Sequence, residues 1–142
     1  MAELTTKTRP TGATAVLARH GFPQVTSATG GEIQIVTGPS QAGFNPIDLL
    51  YGSLSACMAM SARIAASQMG VLDKLTDIRA EVTGEKSTEG LSRVVKFNIL
   101  LTIRGDIHPE VRHAIALAAE EEICTVSNTL RGGADFSMTV RD

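Results

Sequence analysis

The chain has 142 residues and a net charge of −2, with 43% hydrophobic and 20% charged residues. This length and composition are typical of one globular domain, so we expect a single domain over residues 1–142, with a loose N-terminal arm at residues 1–12. The balanced charge excludes a general nucleic-acid surface, which needs clustered Lys and Arg.

The N-terminus lacks the apolar stretch of a secretory signal. The longest uncharged, apolar-rich run, residues 49–62, is shorter than the roughly 18–20 residues that span a bilayer. We therefore predict a cytoplasmic protein with no membrane association. In that compartment cysteines stay reduced, so a disulfide would be transient and catalytic rather than structural.

The first third of the chain predicts a β-meander. Apolar and polar residues alternate over three short segments, which is typical of strands. These predicted strands lie at residues 13–18, 24–28 and 32–36, and turn residues separate them.

A long helix is predicted after the meander. Asn45 suits the N-cap, and Pro46 suits the first helical position, where a missing N–H costs nothing. The helix should continue to about Met69 and end at Gly70. Its apolar residues form two stripes, so we expect this central helix to be buried on most sides.

The second half predicts a hairpin followed by helices. Strands are expected at residues 76–84 and 92–103, with a polar turn between them. A helix should cover residues 109–122, a short helix should follow Cys124, and a last strand should cover residues 135–140. This order of elements is typical of an α+β domain.

Cys57 and Cys124 are the residues best suited to carry chemistry. Cys57 lies within the long helix, near Ser53, Ser55 and Ser61, whose hydroxyls could donate hydrogen bonds to it. Cys124 lies at the start of the short helix, where unsatisfied backbone N–H groups favour a thiolate. Free cysteines are also among the most buried residue types. The residues alone therefore leave open a pair of inert, buried thiols.

The three histidines, His20, His108 and His113, do not occur at the spacing of zinc ligands. We therefore predict no metal and no other cofactor. A cysteine hydrolase would need a histidine beside Cys57 or Cys124, and only His20, in a predicted turn, could be brought there by folding.

A two-part motif connects the cysteines to a known superfamily. Its residues are Asn45-Pro46-Ile47-Asp48-Leu49-Leu50, Ala56-Cys57 and, downstream, Cys124-Thr125-Val126-Ser127-Asn128-Thr129-Leu130. In these the chain resembles the OsmC/Ohr superfamily of osmotically inducible proteins and organic hydroperoxide resistance proteins. There the first cysteine lies in a long helix opened by Asn-Pro or Ser-Pro, and the second lies in a Cys-Pro-Val-Ser-like segment. The resemblance covers nearly the whole chain.

The resemblance implies a fold and a reaction. The fold is an intertwined homodimer, in which antiparallel sheets wrap long central helices and two active sites lie at the subunit interface. In the reaction, the Cys57 thiolate attacks the O–O bond of an organic hydroperoxide, giving an alcohol and a sulfenic acid. Cys124 then condenses with the sulfenic acid to a disulfide. A dithiol reductant, which would be a lipoyl protein or a thioredoxin-like protein, reopens it.

The superfamily also uses an arginine near the N-terminus to stabilise the thiolate and orient the peroxide. Arg19 matches that position best, and Arg9 is the alternative. Well-studied peroxidases carry a glutamate directly after Asn-Pro to hold this arginine, whereas this chain has Ile47 there and its nearest acid is Asp48. In addition, Thr125 replaces the usual proline.

Asp48 precedes Cys57 by nine residues, which is about 14 Å along a helix at roughly 1.5 Å per residue. The two residues also lie on opposite faces. Asp48 can therefore act only through an arginine or across the dimer interface. The alternative is a first-turn acid that the helix dipole favours.

Two functions remain from the sequence. The first is an organic hydroperoxide peroxidase, with an apolar lining expected from Leu50, Leu54, Met58 and Met60. The second, favoured by the missing glutamate, is a dimeric ligand-binding or redox-sensing protein that kept the fold and lost turnover.

Overall fold

The computed structural model describes residues 10–38 and 40–141. It combines helices with antiparallel sheets, which confirms the α+β prediction. The chain divides after Leu49 into two compact units, and the assignment of one domain to residues 1–142 stays a prediction. Most of the predicted arm at residues 1–12 lies outside the described residues.

The first unit contains the predicted meander, a three-stranded antiparallel sheet in chain order. Its strands are β1 (Ala13–Val16), β2 (Gln24–Ser27) and β3 (Glu32–Gln34). Both β1 and β3 end two residues before their predicted ends. After β3, the Ile35 N–H donates to Pro23 O at 3.0 Å, and Ile35 forms an isolated bridge with Phe44.

The predicted long helix is confirmed as α1 (Pro46–Gln68). A reciprocal pair of hydrogen bonds starts it: Asp48 N–H donates to Asn45 Oδ1 at 2.7 Å, and Asn45 N–H donates to Asp48 Oδ2 at 3.0 Å. This capping box satisfies donors that would otherwise lack partners at the helix start. As predicted, Gly70 follows its end, with a φ of 75° that favours glycine.

The second unit contains the predicted hairpin, formed by β4 (Leu75–Lys86) and β5 (Val94–Gly105). Apolar residues face each other across the ladder, including Ile78 opposite Ile103. They pack with Leu54 and Met58 of α1 in one hydrophobic cluster. Burying each such side chain stabilises the fold by about 1.5–3 kcal/mol, so this packing fixes the middle of α1 on the hairpin.

The helical region after β5 differs from its prediction. The single helix expected to reach residue 122 is α2 (Pro109–Ala118), followed by a wider π turn (Ala119–Ile123). Cys124 N–H donates to Ala119 O at 2.9 Å, which closes the five-residue spacing of that turn. The predicted short helix is confirmed as α3 (Thr125–Gly132).

The predicted last strand, residues 135–140, is wrong: residues 134–141 form no regular element. The alternation behind the prediction is present, but Phe136, Met138 and Val140 are at least 84% exposed. Within the described part of this chain the segment has no partner strand, and a strand needs one to pair its backbone.

Within a single chain, α1 is buried on one side only, not on most sides as predicted. Leu54 and Met58 are fully buried, whereas Met60 and Ile64, on the other side of the helix, are 57% and 46% exposed. One side of α1 thus carries the core of the second unit, and the other presents apolar side chains at the surface.

By length and composition alone, α1 is long and apolar enough to cross a membrane. Core helices of soluble proteins pass the same test. The packing of its buried stripe on β4 and β5 accounts for the apolar residues on one side of the helix.

Candidate active site

The fold brings the two cysteines together. Cys57 lies in α1 and Cys124 lies directly before α3, and their thiols are in hydrogen-bonding contact. Both are free thiols; Cys57 is partly accessible, whereas Cys124 is completely buried. The structure thus joins two residues that are distant in the sequence, within the second unit.

Cys124 forms the N-cap of α3. Its Sγ accepts the Ser127 N–H at 3.4 Å, and its backbone is extended (φ −68°, ψ 104°), as an N-cap requires. The next two backbone N–H groups, of Thr125 and Val126, donate to Cys57. A helix start leaves such N–H groups without intrahelical acceptors, and here the two sulfur atoms act as their acceptors.

Opposing effects set the pKa of Cys57. Burial, the largest single effect, would raise the pKa, because it disfavours the thiolate. Hydrogen bonds act in the other direction, and their donors are the Val126 N–H, the Cys124 thiol, the Ser61 hydroxyl and the Thr125 N–H. Together they lower the pKa of Cys57 below the ordinary value of a cysteine. Cys57 is therefore the thiol that ionises first.

Cys124 is affected in the opposite sense. Burial raises the pKa of Cys124, and the hydrogen bond and the negative charge of Cys57 raise it further. The Ser127 backbone N–H lowers it, but not enough to offset these effects. The pair is asymmetric, with Cys57 the more acidic thiol and Cys124 the less acidic one. This arrangement favours a redox pair over two inert thiols.

Two adjoining pockets of mixed polarity lie beside this part of α1. One, of about 270 Å³, is lined by Met58 of α1, by Phe97, Ile99 and Leu101 of β5, and by Leu117 and Glu120. The other, of about 180 Å³, shares Phe97, Ile99 and Glu120 with the first and is also lined by Leu54, Ser127, Leu130 and Arg131. Leu54 and Met58, two residues of the predicted apolar lining, therefore do line pockets. Met60 lines a separate one beside Arg63.

The remaining predicted site residues lie in the first unit or outside the described residues. Arg19 is exposed in the bend between β1 and β2. Asp48 is part of the capping box with Asn45, so one of its carboxylate oxygens already has a structural partner. Arg9 lies outside the described residues. The catalytic roles of these residues stay predictions.

Metal ligands are not grouped in the part of the chain that the structure describes: no three His, Cys, Asp or Glu side chains lie together there. Of the three serines predicted as donors to Cys57, Ser61 is one, whereas the Ser53 and Ser55 hydroxyls donate to Leu50 O and Gly52 O of their own helix. The sequence pattern missed the π turn, which sets the position of Cys124 and which no local motif predicts.

Comparison with known proteins identifies a family. The model of the family described as OsmC-like protein matches residues 38–139. No curated protein sequence matches the chain.

Solved structures resemble the fold. An OsmC-like protein from Mycoplasma pneumoniae is 23% identical, with a TM-score of 0.74 over 88% of this chain and 89% of that one. The organic hydroperoxide resistance protein OhrB of Bacillus subtilis is also 23% identical, with a TM-score of 0.65 over 88% and 93%. An organic hydroperoxide resistance protein OsmC from Legionella pneumophila is 21% identical, with a TM-score of 0.66 over 94% and 95%. The predicted OsmC-like fold is confirmed.

The lowered pKa of Cys57 is testable by alkylation. Because the thiolate is the reactive form, iodoacetamide should modify Cys57 before Cys124, with a pH midpoint below that of free cysteine. In Thr125→Pro the midpoint should rise, with alkylation near neutral pH about two- to fivefold slower, because one N–H donor to the thiolate is lost. Mass spectrometry at each pH locates and quantifies the label.

Thr125→Pro removes this donor with little disturbance. Proline is favoured at the first helical position, and the extended backbone of Cys124 is compatible with a following proline. The control is Thr129→Ala, since the Thr129 hydroxyl donates to Thr125 O and contacts neither thiol. A wild-type midpoint equal to that of free cysteine would contradict the assignment of Cys57 as the thiolate.

Proposed function

Because the chain belongs to the OsmC-like protein family, we propose that it is a thiol-dependent peroxidase that reduces organic hydroperoxides to alcohols. The contact between the more acidic Cys57 thiol and the less acidic Cys124 thiol carries this proposal. Two of the structural neighbours are named organic hydroperoxide resistance proteins, which supports a redox-related role for the family.

In the proposed first step, the Cys57 thiolate attacks the terminal oxygen of the hydroperoxide. The O–O bond breaks, an S–O bond forms, and Cys57 becomes a sulfenic acid. The organic part leaves as an alkoxide, which takes up a proton to give the alcohol. The neighbouring Cys124 thiol is available as the proton donor, because its raised pKa keeps it protonated until this point.

In the second step, the Cys124 sulfur attacks the Cys57 sulfenic acid. An S–S bond forms, the S–O bond breaks, and the hydroxyl group leaves as hydroxide, which takes up a proton from solvent to give water. The hydroperoxide has then gained two electrons, and the two thiols have lost them. A dithiol reductant, such as a lipoyl protein or a thioredoxin-like protein, returns the electrons by thiol–disulfide exchange. Such a cycle fits a reducing compartment, and we propose the cytoplasm.

The apolar side chains that line the two pockets support an organic substrate. Leu54 and Met58 lie three residues before and one residue after Cys57 in α1, and both line these pockets. An alkyl or aryl group held there gains free energy from leaving water, whereas hydrogen peroxide has no such group. We therefore propose alkyl or lipid hydroperoxides as the substrate class.

Cysteine variants test the reaction. With cumene hydroperoxide, stopped-flow measurement should give fast thiol oxidation in the wild type, and Cys57→Ser should fall to the background rate. Cys124→Ala should still react once, but its Cys57 sulfenic acid should persist and be trapped by dimedone, because the resolving thiol is gone. Wild-type rates no faster than those of free cysteine would contradict the proposal.

A second candidate function is a redox sensor or a ligand-binding dimer without turnover. It is favoured by Ile47 at the position of the usual glutamate and by the use of Asp48 in the capping box. Such a protein would form the Cys57–Cys124 disulfide, but neither dihydrolipoamide nor thioredoxin would recycle it. Turnover in the presence of these reductants therefore separates the two functions.

Arg19 is our proposed arginine for orienting the peroxide, with Asp48 as the acid that acts through it. Arg19→Met should slow the reaction with peroxide by about 10²-fold, as expected for loss of one donor to developing charge, and Asp48→Asn should slow it less. Arg9→Met is the matched comparison for the alternative arginine. If Arg9→Met is slow and Arg19→Met is not, the roles of the two arginines are exchanged.

We also propose a homodimer, in which a second copy covers the exposed side of α1. Met60 and Ile64 present apolar surface there, and contiguous apolar surface of this kind marks interaction sites. Ile64→Glu should shift sedimentation from a dimer towards a monomer. Leu91→Glu, which places the same charge at an exposed apolar residue of the β4–β5 turn, is the control. A monomeric wild type at all concentrations would contradict this proposal.

A further inference from the structure

Side chains of α3 hold the π turn that precedes Cys124. The carbonyls at a helix end lack intrahelical donors, and here three side chains supply them. Ser127 Oγ donates to Glu120 O at 3.1 Å, Arg131 Nη1 donates to the same oxygen at 3.2 Å, and Asn128 Nδ2 donates to Glu122 O at 3.2 Å. The start of α3 is thereby tied to the end of α2.

Arg131 contacts Glu120 twice. Besides the bond to the carbonyl, its Nη2 pairs with the Glu120 carboxylate. Both side chains are partly exposed, with 53% and 39% of their surface accessible. The other ion pairs of the second unit that we describe, such as Arg104–Asp77, link neighbouring positions of the hairpin. The Arg131–Glu120 pair instead joins two segments on either side of Cys124.

The position of α3 depends on such contacts. Eight residues are too few for a stable isolated helix, and the segment after Gly133 has no regular structure. Yet α3 has to present the N–H groups of Thr125 and Val126 to Cys57 and that of Ser127 to Cys124. A small rotation or shift of α3 would lengthen all of these bonds together.

We propose that Arg131, in the last turn of α3, and Glu120, in the π turn, form a clamp that positions the cysteine pair by fixing α3 relative to the π turn. Arg131 and Glu120 are thus positioning residues, because they act through α3 and contact neither sulfur. The role of the clamp in catalysis rests on the proposed peroxidase function. The groups that face Cys57 are the Cys124 thiol, the Ser61 hydroxyl and two backbone N–H groups. Of these four groups, the Cys124 thiol is the one that can change its charge with pH.

The clamp can be distinguished from a direct effect of charge. If Arg131 acted by its own positive charge, Arg131→Gln would raise the pKa of Cys57, whereas Glu120→Gln would lower it. If the pair acts as a clamp, both substitutions loosen α3 and both raise the pKa. The two models therefore predict opposite signs for Glu120→Gln.

The experiment is the pH profile of Cys57 alkylation by iodoacetamide in the full chain. We expect Arg131→Gln and Glu120→Gln each to move the midpoint upward and to slow alkylation near neutral pH about two- to fivefold, the range of a partly exposed ion pair. Arg131→Lys, which keeps the charge but not the two-point contact, should also move it upward. Arg104→Gln, which breaks the bidentate pair with Asp77, should leave it unchanged.

Several outcomes would overturn the clamp. These are a lower midpoint in Glu120→Gln, an unchanged midpoint in Arg131→Gln, or an equal shift in Arg104→Gln. Circular dichroism on each variant verifies that the fold is retained, and a variant that unfolds is replaced by Arg131→Lys for the same comparison. Alkylation requires no peroxide turnover. A wild type without peroxidase activity would therefore overturn the proposed function, whereas the pH midpoints of Cys57 alkylation would still test the clamp.

Discussion

The hydrogen bonds that the start of α3 directs at Cys57 are the interaction on which the site depends. A thiolate at a partly buried position loses hydration, and burial alone therefore favours the neutral thiol. The N–H groups of Thr125 and Val126, with Ser61 and Cys124, offset that loss. These donors come from two helices that are distant in the sequence. The packing of α1 on the β4–β5 hairpin fixes one side of the contact, and the π turn before Cys124 fixes the other.

The asymmetry of the thiol pair has a consequence for its redox chemistry. The contact that lowers the pKa of Cys57 raises that of Cys124, so the two thiols titrate as a coupled pair. Stabilising the Cys57 thiolate stabilises the reduced state, because a disulfide carries no charge for the N–H groups to interact with. A disulfide opposed in this way is easier to reduce. The hydrogen bonds that lower the pKa of Cys57 thus also favour reduction of a Cys57–Cys124 disulfide.

Local features of the sequence predicted the fold well where local interactions determine it. Asn45, Pro46 and Gly70 predicted both ends of α1, and alternation predicted the hairpin. The failures have tertiary causes. Residues 135–140 alternate as a strand does, but the described chain offers them no partner. Apolar residues such as Met60 and Ile64 on the exposed side of α1 cannot be told from those on its buried side by residue type. For the site, spacing alone left the cysteines as an inert pair, since only folding shows that α3 points its N–H groups at Cys57.

The two departures of this chain from the superfamily pattern affect the stability of the Cys57 thiolate in opposite directions. Ile47 removes the acid that usually holds the arginine near the thiolate, and Asp48, the nearest acid, uses one carboxylate oxygen in the capping box of α1. Thr125 stands where a proline is usual, and a proline has no N–H. The Thr125 N–H is an additional donor to Cys57. We therefore infer that stabilisation of the thiolate has moved in part from an arginine–acid pair to the backbone of α3. That shift makes the placement of α3, and hence the π turn that holds it, more important here than in a protein with proline at this position.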